Sequence, residues 1–372
     1  PAAWGLHFDL TIPFARYVLE NSSNLDFPFR RYQLQKAWRG ERPQEGRYRE
    51  FCQADIDVVG DSELPIHIDA EVVEVALAAL RELSTQIGTP EALARVNNRR
   101  LAAGVFEGLG IADPAPVLRL TDKLAKIGSD QVLGLLVEEA GLSKDTAASV
   151  IEFAQISGPL DAVLPKLDAL GVENESFLLG RQQLVDVVSR IAKRFPDSVI
   201  ADMQIARGLD YYTGTIFELV LIGRESLGSI SAGGRYDQLA SDGKRTYPGV
   251  GISIGLSRIL TPMIATGELT ASRKVPTVVL VAVNDEESRD QSEHVASQLR
   301  DRGIACEVSP SAAKFGKQIK YAERRQIPYV WFVSPDGDEV KNLASREQSP
   351  ANAATWTPSD AELRITNQKE QR

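Results

Sequence analysis

The sequence predicts an α+β domain with an antiparallel sheet, a helical insertion within it, and a C-terminal α/β domain. Three observations carry that prediction. Residues 31–39 and 51–59 alternate apolar and polar side chains at period two, with a polar loop over residues 40–50 between them, which is the pattern of a long β-hairpin. Residues 113–171 open on a DPAP breaker and continue as short Leu/Val-spaced segments, each stopped by glycine, which is the pattern of a small helical module. Beyond a polar linker at residues 270–276 the order is strand, helix, strand, helix, strand, which predicts a largely parallel sheet.

In the hairpin, Tyr32, Leu34 and Trp38 fall on one face and Arg31, Gln33, Gln35 and Arg39 on the other. On the return strand Cys52, Ala54, Ile56 and Val58 share one face and Gln53, Asp55 and Asp57 the other. Arg39, Gln53 and Asp57 therefore share a surface, with Arg42, Arg47 and Arg49 in the loop. Residues 30–49 carry seven basic side chains against Glu41 and Glu45. Guanidiniums beside an amide and carboxylates suit a zwitterionic ligand with phosphates. From pattern alone, a sheet with a solvated polar face is the favoured reading.

Elsewhere, residues 4–21 predict a short strand-like piece and a helix from about Pro13, a residue suited to a first turn. Residues 69–84 predict a core-facing helix with Val72, Val73, Ala76, Leu80 and Leu83 at helical spacing. NNRRL (97–101) ends a strand and starts a helix, and residues 175–195 form another helix. TIFELVLI (215–222) is a β-rich run, SISAGGRYD (229–237) a glycine-rich turn with an arginine, and GVGISIG (249–255) a small-residue stretch ahead of a helix near Ser257. That stretch lacks the GxxxxGK[ST] pattern of a P-loop and the third glycine of GxGxxG. Its small residues leave room for a flat ligand against backbone, or else for tight sheet-to-helix packing. The end of the chain, from about Asn367, reads as frayed.

The net charge of −9 argues against a generally basic nucleic-acid coat, so any RNA contact must use local basic patches. Two cysteines, Cys52 and Cys306, form no disulfide framework and fit a reducing compartment. Three scattered histidines provide no metal motif, so no metal site is expected from a protein cluster alone. No apolar run approaches the length of a transmembrane helix.

WRGERPQEGRYREFCQADIDV (38–58) resembles motif 2 of class II aminoacyl-tRNA synthetases in its histidyl form. RGLDYYTG (207–214) is similar to the histidine-binding signature of that family, and GVGISIGLSR (249–258) to class II motif 3. Three matches in the family's order are far more specific than any one, and the resemblance spans nearly the whole chain. It implies a class II synthetase-like catalytic domain over residues 1–112 and 173–268, an insertion over 113–172 at the acceptor arm of tRNA, and an anticodon-binding-like domain over 275–372. It also implies that motif 1, much of the homodimer interface, lies upstream of Pro1, so that the chain reads as N-terminally incomplete.

The resemblance implies a histidine–tRNA ligase. Histidine and ATP give histidyl-adenylate and pyrophosphate, and the histidyl group then passes to a ribose hydroxyl of the terminal adenosine of histidine tRNA. The attacking carboxylate is already ionised at pH 7, so the site needs alignment and positive charge rather than a base. Residue by residue, it implies Arg39 on the α-phosphate, Glu41 near ATP, and Arg47 and Arg258 on the outer phosphates with Mg²⁺. Arg207 approaches both the substrate carboxylate and the α-phosphate, and Arg39 and Arg207 carry catalysis. HFDLT (7–11) resembles the segment that contacts the α-amino group, which brings in Asp9, Leu10 and Thr11; His7 stands where the family often has arginine. Gln53 and Asp57 match the amino-acid grip, Tyr211 and Tyr212 the imidazole pocket, and Arg42 and Gln44 the acceptor end of tRNA. A cytoplasmic location follows for such an enzyme. Two relatives of the enzyme share its fold: the catalytically silent regulator of ATP phosphoribosyltransferase, and the tRNA-sensing domain of a stress kinase. The arginine set and the α/β tail favour the enzyme.

Overall fold

The computed structural model describes residues 5–205 and 211–365, and the chain divides into two compact units, Pro1–Pro262 and Met263–Arg372. In the first unit, residues 5–10 are irregular rather than a strand; the His7 carbonyl still accepts the Trp38 N–H at 3.0 Å. Helix α1 (Thr11–Asn21) follows, with the Asp9 carboxylate taking the Ile12 N–H at 3.0 Å and Pro13 in the first turn, where no backbone donor is needed. Strands β1 (Phe29–Trp38) and β2 (Glu50–Val59) form the expected antiparallel hairpin. Its register sets Arg31 opposite Asp57, Gln33 opposite Asp55 and Gln35 opposite Gln53.

Helix α2 (His67–Ile87) buries Val72, Val73, Ala76 and Leu80 and stops at Gly88, whose φ of 71° suits glycine. Strand β3 (Ala92–Asn98) runs into α3 (Arg99–Gly108), and the Asn98 side chain caps the helix by accepting the Arg100 N–H at 2.9 Å. The helical segment contains α4 (Pro114–Thr121), α5 (Leu124–Ile127), α6 (Ser129–Glu138) and α7 (Lys144–Ala154). It then adds an element that periodicity does not signal, the two-residue strand β4 (Ser157–Gly158), before α8 (Leu160–Asp168). Helix α9 (Glu175–Arg194) leads to β5 (Val199–Asp202), β6 (Thr215–Leu221), β7 (Ser231–Tyr236), β8 (Gly249–Gly255) and α10 (Leu256–Ala265). The glycine-rich stretch expected as a turn is thus strand β7. Its glycines keep ladder pairing, with Gly233 opposite Ile252 and Gly234 opposite Gly251.

The eight strands form one sheet in the order β1-β2-β8-β7-β6-β3-β5-β4, antiparallel throughout except for the parallel β3–β5 pair. Strand β4 pairs with β5 and so ties the helical segment to the edge of this sheet. Helix α2 packs against β2, β3 and β8, and α9 against α2, α3, β3 and β5, so apolar helix stripes cover one side of the sheet. Because side chains alternate along strands, Gln53, Asp55 and Asp57 of β2, Gly251, Ser253 and Gly255 of β8, Ala232 and Gly234 of β7 and Glu218 of β6 share one face.

The second unit has β9 (Val279–Val281), α11 (Arg289–Asp301), β10 (Cys306–Val308), α12 (Phe315–Arg325) and β11 (Tyr329–Phe332) in the expected alternation. Two further strands, β12 (Glu339–Asn342) and β13 (Gln348–Pro350), add antiparallel to the parallel β10-β9-β11 core. Val278, Val279, Val281, Leu299 and Trp331 form one buried cluster of this unit. The expectation of a frayed end from Asn367 lies outside the described residues.

Candidate active site

A cavity of about 360 Å³ opens on the shared polar face of the first unit. Its lining includes Asp9, Thr11, Arg39, Glu41, Arg42, Arg47, Gln53, Tyr211, Tyr212 and Arg258, so residues dispersed over some 250 positions of sequence converge on one space. The lining also includes Tyr48, Phe51, Glu218, Ser229, Ser231 and Ser253, which sequence reasoning did not single out. A signal for Glu218 was present, since it is a lone carboxylate within an apolar β-run.

One end of the cavity is electropositive. Arg39 emerges from the end of β1, its amide bonded to the Arg49 carbonyl at 2.9 Å. Its guanidinium lies 4.4 Å from the Phe8 ring centroid and 5.1 Å from that of Phe51, and donates to the Phe8 carbonyl at 3.3 Å. Such flat aromatic seats fix a guanidinium without neutralising it. Arg47 is held by the turn in which Gln44 and Arg47 exchange backbone hydrogen bonds of 3.1 and 2.8 Å, and reaches Glu41 at 3.7 Å. Arg258 donates to the Leu227 carbonyl at 2.8 Å. Burial and then the neighbouring Arg47 push its guanidinium down to about 10; Arg39 adds to this, while Glu218 and Glu41 offset part of it. Glu218 in turn accepts a hydrogen bond from the Ser229 hydroxyl. Clustered cations with so little compensation fit a polyanion.

The other end is buried and largely pre-paired. Tyr211 donates its hydroxyl to Asp9 at 3.1 Å and packs edge-on against Tyr212, ring centroids 5.0 Å apart. Burial first, then Tyr212 and Asp9, raise the Tyr211 phenol, and burial first, then Asp57 and Asp9, raise that of Tyr212 against an opposing hydrogen bond with Tyr211, so both stay neutral donors. Asp57 does not line the cavity; it sits behind the lining with Arg31 at 2.7 Å and the Tyr236 hydroxyl at 2.6 Å. Arg31 itself lies over the Phe14 ring at 4.3 Å and donates to the Leu10 carbonyl at 3.1 Å, so Leu10 contributes backbone from beneath the site. Two glycines of β8 are packed tightly, against side chains of the neighbouring strands β2 and β7 rather than against a helix. A Cβ on Gly251 would lie 2.0 Å from Asp57 Oδ1, and one on Gly249 would lie 2.2 Å from the Tyr236 ring. Gly255 and Ser253 border the cavity instead.

Of the other expected residues, Gln44 lies in the hairpin turn and outside the lining, while Arg42 is within it. Arg207 lies outside the described residues. His7 stacks edge-on against Trp38 with centroids 5.2 Å apart and bonds to the Lys36 carbonyl at 2.7 Å, which anchors the segment leading to Asp9 on the hairpin. Among the described residues, no group of three or more His, Cys, Asp or Glu side chains is placed to hold a metal ion.

A mainly antiparallel sheet carrying an arginine-rich hairpin at one end of its cavity and a tyrosine–carboxylate pocket at the other has the features of a class II synthetase-like catalytic domain. A family model described as "Histidyl-tRNA synthetase" matches residues 2–259, and one described as "Anticodon binding domain" matches residues 277–352. The chain is 55% identical to the histidine–tRNA ligase of Cutibacterium acnes, a match covering 96% of this chain and 80% of that protein. It is 52% identical to the histidine–tRNA ligase of Micrococcus luteus, over 98% of this chain and 80% of the relative. A crystal structure of histidyl-tRNA synthetase from a Nostoc species superposes with a TM-score of 0.78 at 34% identity, covering 93% of this chain and 81% of that one. The chain belongs to the histidyl-tRNA synthetase family.

Proposed function

We infer that the chain is a histidine–tRNA ligase, with the cavity of the first unit as the site of adenylate formation. The observation that carries this reading is the polarity of that cavity, with Arg39, Arg47 and Arg258 at one end and Asp9, Gln53, Tyr211 and Tyr212 at the other. ATP phosphates fit the arginine end. Histidine fits the other end, its imidazole meeting tyrosine hydroxyls and carboxylates that match one donor and one acceptor. The zwitterion's carboxylate then points toward the arginines. Its oxygen attacks the α-phosphorus, the bond to the pyrophosphate oxygen breaks, and Arg39 stabilises the charge that builds on the α-phosphate oxygens. Arg207, outside the described residues, is assigned to the same region on the strength of the sequence resemblance alone.

Mg²⁺ fits this site as a companion of the nucleotide, since a small hard cation takes one or two carboxylates and completes its shell with phosphate oxygens and water. Glu218 and Glu41 are the carboxylates at that end of the cavity. When bound, the ion would spread the charge of the outer phosphates.

Arg42 in the cavity rim and Gln44 in the neighbouring turn support entry of the tRNA acceptor end from the hairpin side. The domain division proposed is a catalytic domain over residues 1–112 and 173–268, an insertion over 113–172 and an anticodon-binding domain over 275–372. In the last of these, Lys314, Lys317, Lys320, Arg324 and Arg325 give α12 and its leading residue a basic character suited to RNA. Assembly as a homodimer belongs to the same reading. Tyr32, 79% exposed, and Leu34, 62% exposed, on the outermost strand β1 support a contact there. No helix of the described residues is long and apolar enough to cross a membrane, and a cytoplasmic site of action is proposed.

The test is histidine-dependent exchange of pyrophosphate into ATP. Exchange that requires histidine supports the ligase reading. Its absence in a folded preparation that still binds histidine contradicts it and favours a non-catalytic relative.

A further inference from the structure

Arg99 of the NNRRL motif and Arg235 and Asp237 of SISAGGRYD lie outside the cavity lining, yet all three grip the segment that carries Tyr211 and Tyr212. Residues 211–214 run into β6 with no helix or ladder of their own, so their backbone groups need partners from elsewhere. The Arg99 N–H donates to the Gly214 carbonyl at 2.8 Å, and its guanidinium to the Tyr212 carbonyl at 2.7 Å. Between them, the Thr213 N–H donates to the Arg235 carbonyl at 2.8 Å. The Thr213 hydroxyl donates to Asp237 Oδ2 at 2.7 Å and accepts the Asp237 N–H at 3.0 Å. The fit against β7 is close: a Cβ on Gly234 would lie 3.0 Å from the Tyr212 ring, and one on Gly214 2.9 Å from Arg235 Cδ.

This clasp is itself anchored from behind. Arg235 is buried, on the side of β7 away from Ala232 and Gly234. Its guanidinium holds Asp69, in the first turn of α2, at 2.7 Å and donates to the Leu64 carbonyl at 3.0 Å. It also reaches Asp237 Oδ1 at 3.3 Å, and Arg100 lies 3.7 Å from Oδ2. A carboxylate fixed between two guanidiniums is a strong and well-aimed acceptor for a hydroxyl.

We propose that Asp237 is a positioning residue for ligand selection: by holding the Thr213 hydroxyl, it keeps Tyr211 and Tyr212 in one arrangement and so makes the pocket selective for a ring that carries both a donor and an acceptor. This rests on the histidine-binding reading given above. A polar pocket rejects a ligand lacking one of its partners only while its own groups are held where they cannot turn to other partners. The segment has no ladder to supply that rigidity, and the Thr213–Asp237 bond supplies it from a carboxylate that meets no ligand. A clasp of purely structural value would change the melting temperature and leave the choice of ligand alone.

The experiment is calorimetric titration of L-histidine, of β-(thiazol-4-yl)alanine, whose ring keeps an acceptor nitrogen but has no N–H, and of ATP. The proteins are the parent, Thr213→Val, Thr213→Ser, Asp237→Ala and the double variant Thr213→Val/Asp237→Ala. Thr213→Val and Asp237→Ala are each expected to lower histidine affinity roughly tenfold and thiazolylalanine affinity far less, so that the preference for histidine narrows. ATP affinity is expected to stay within about twofold of the parent, and Thr213→Ser, which keeps the hydroxyl, to restore histidine affinity to within about twofold. The double variant is expected to lose no more than the weaker-binding single variant, because both remove one bond. An unchanged preference for histidine overturns the proposal, as do equal losses of histidine and ATP, or losses that add in the double variant. Should either single variant fail to fold, the other decides by the same comparison of ligands. Failure of the parent to bind histidine overturns the histidine reading itself, and this proposal with it.

Discussion

At the arginine end of the cavity, three guanidiniums stand close together with Glu41 and Glu218 offsetting part of their charge, and Arg47 and Glu41 are about half exposed. At the tyrosine end, the Arg31–Asp57 pair is almost fully buried, and Asp57 holds both Arg31 and the Tyr236 hydroxyl before any ligand arrives. The first is an open electrostatic clamp that waits for charge; the second is a set of partners fixed in advance by packing. The difference follows from where each sits in the fold. The clamp is built from a strand end, a hairpin loop and a helix start, whereas the pocket is built from the middle of a sheet under α1. Clamps of this kind accelerate by meeting developing charge, and buried pre-paired pockets discriminate, because a ligand that leaves their groups unsatisfied is penalised.

The largest effect expected is at the clamp. Arg39→Ala should lower the single-turnover rate of adenylate formation by roughly 10²–10³-fold, by analogy with removal of one preorganised donor. Arg39→Lys should recover little, because a point charge does not reproduce a planar fork seated between Phe8 and Phe51. A near-parent rate in Arg39→Ala would reduce the clamp to a structural feature.

At the pocket the next effect is on stability. The Asp55 carboxyl is raised to about 7 in the folded protein, against an ordinary value near 4. The folded state therefore binds the extra proton more tightly than the unfolded chain. Its contribution is fully present below about pH 4 and is lost as pH rises toward and through about 7. Asp55→Asn should accordingly stabilise the unliganded protein at pH 8, by roughly 2–4 kcal/mol, and by much less at pH 5. Denaturant midpoints that are unchanged at both pH values would show that Asp55 is not a carboxylate buried without hydrogen-bond partners.

A smaller effect separates the two ends by ionic strength. Exposed charges are screened and buried pairs are not, so raising salt from 0.05 to 0.5 M should weaken ATP binding several-fold and leave histidine binding nearly unchanged. Parallel weakening of both ligands would erase the contrast drawn here.

Much of this was legible in the sequence, for identifiable reasons. Period-two alternation gives the hairpin and places Gln53, Asp55 and Asp57 on one face, Pro13 marks a helix start, and NNRRL marks the passage from strand to helix that the Asn98 side chain caps. Strand β7 was hidden because AGG reads locally as a turn. Only the ladder shows that its glycines allow close approach, a Cβ on Gly233 falling 2.1 Å from the Gly251 carbonyl. Strand β4 is two residues long and exists only through its partner β5. The withdrawal of Asp57 from the cavity was equally invisible, because it depends on Arg31 and Tyr236, which lie 26 and 179 positions away in sequence. Periodicity assigns a face to a residue, but pairing decides whether that residue meets a ligand.

The central claim is that one cavity binds histidine and ATP through separate ends, and equilibrium binding of each ligand to two variants tests it most directly. Gln53→Ala should weaken histidine binding roughly ten- to a hundredfold, the cost of losing a hydrogen bond to a charged group, while ATP binding changes little. Arg258→Ala should do the reverse. Comparable losses of both ligands in both variants, with folding verified by the melting profile, would contradict the account.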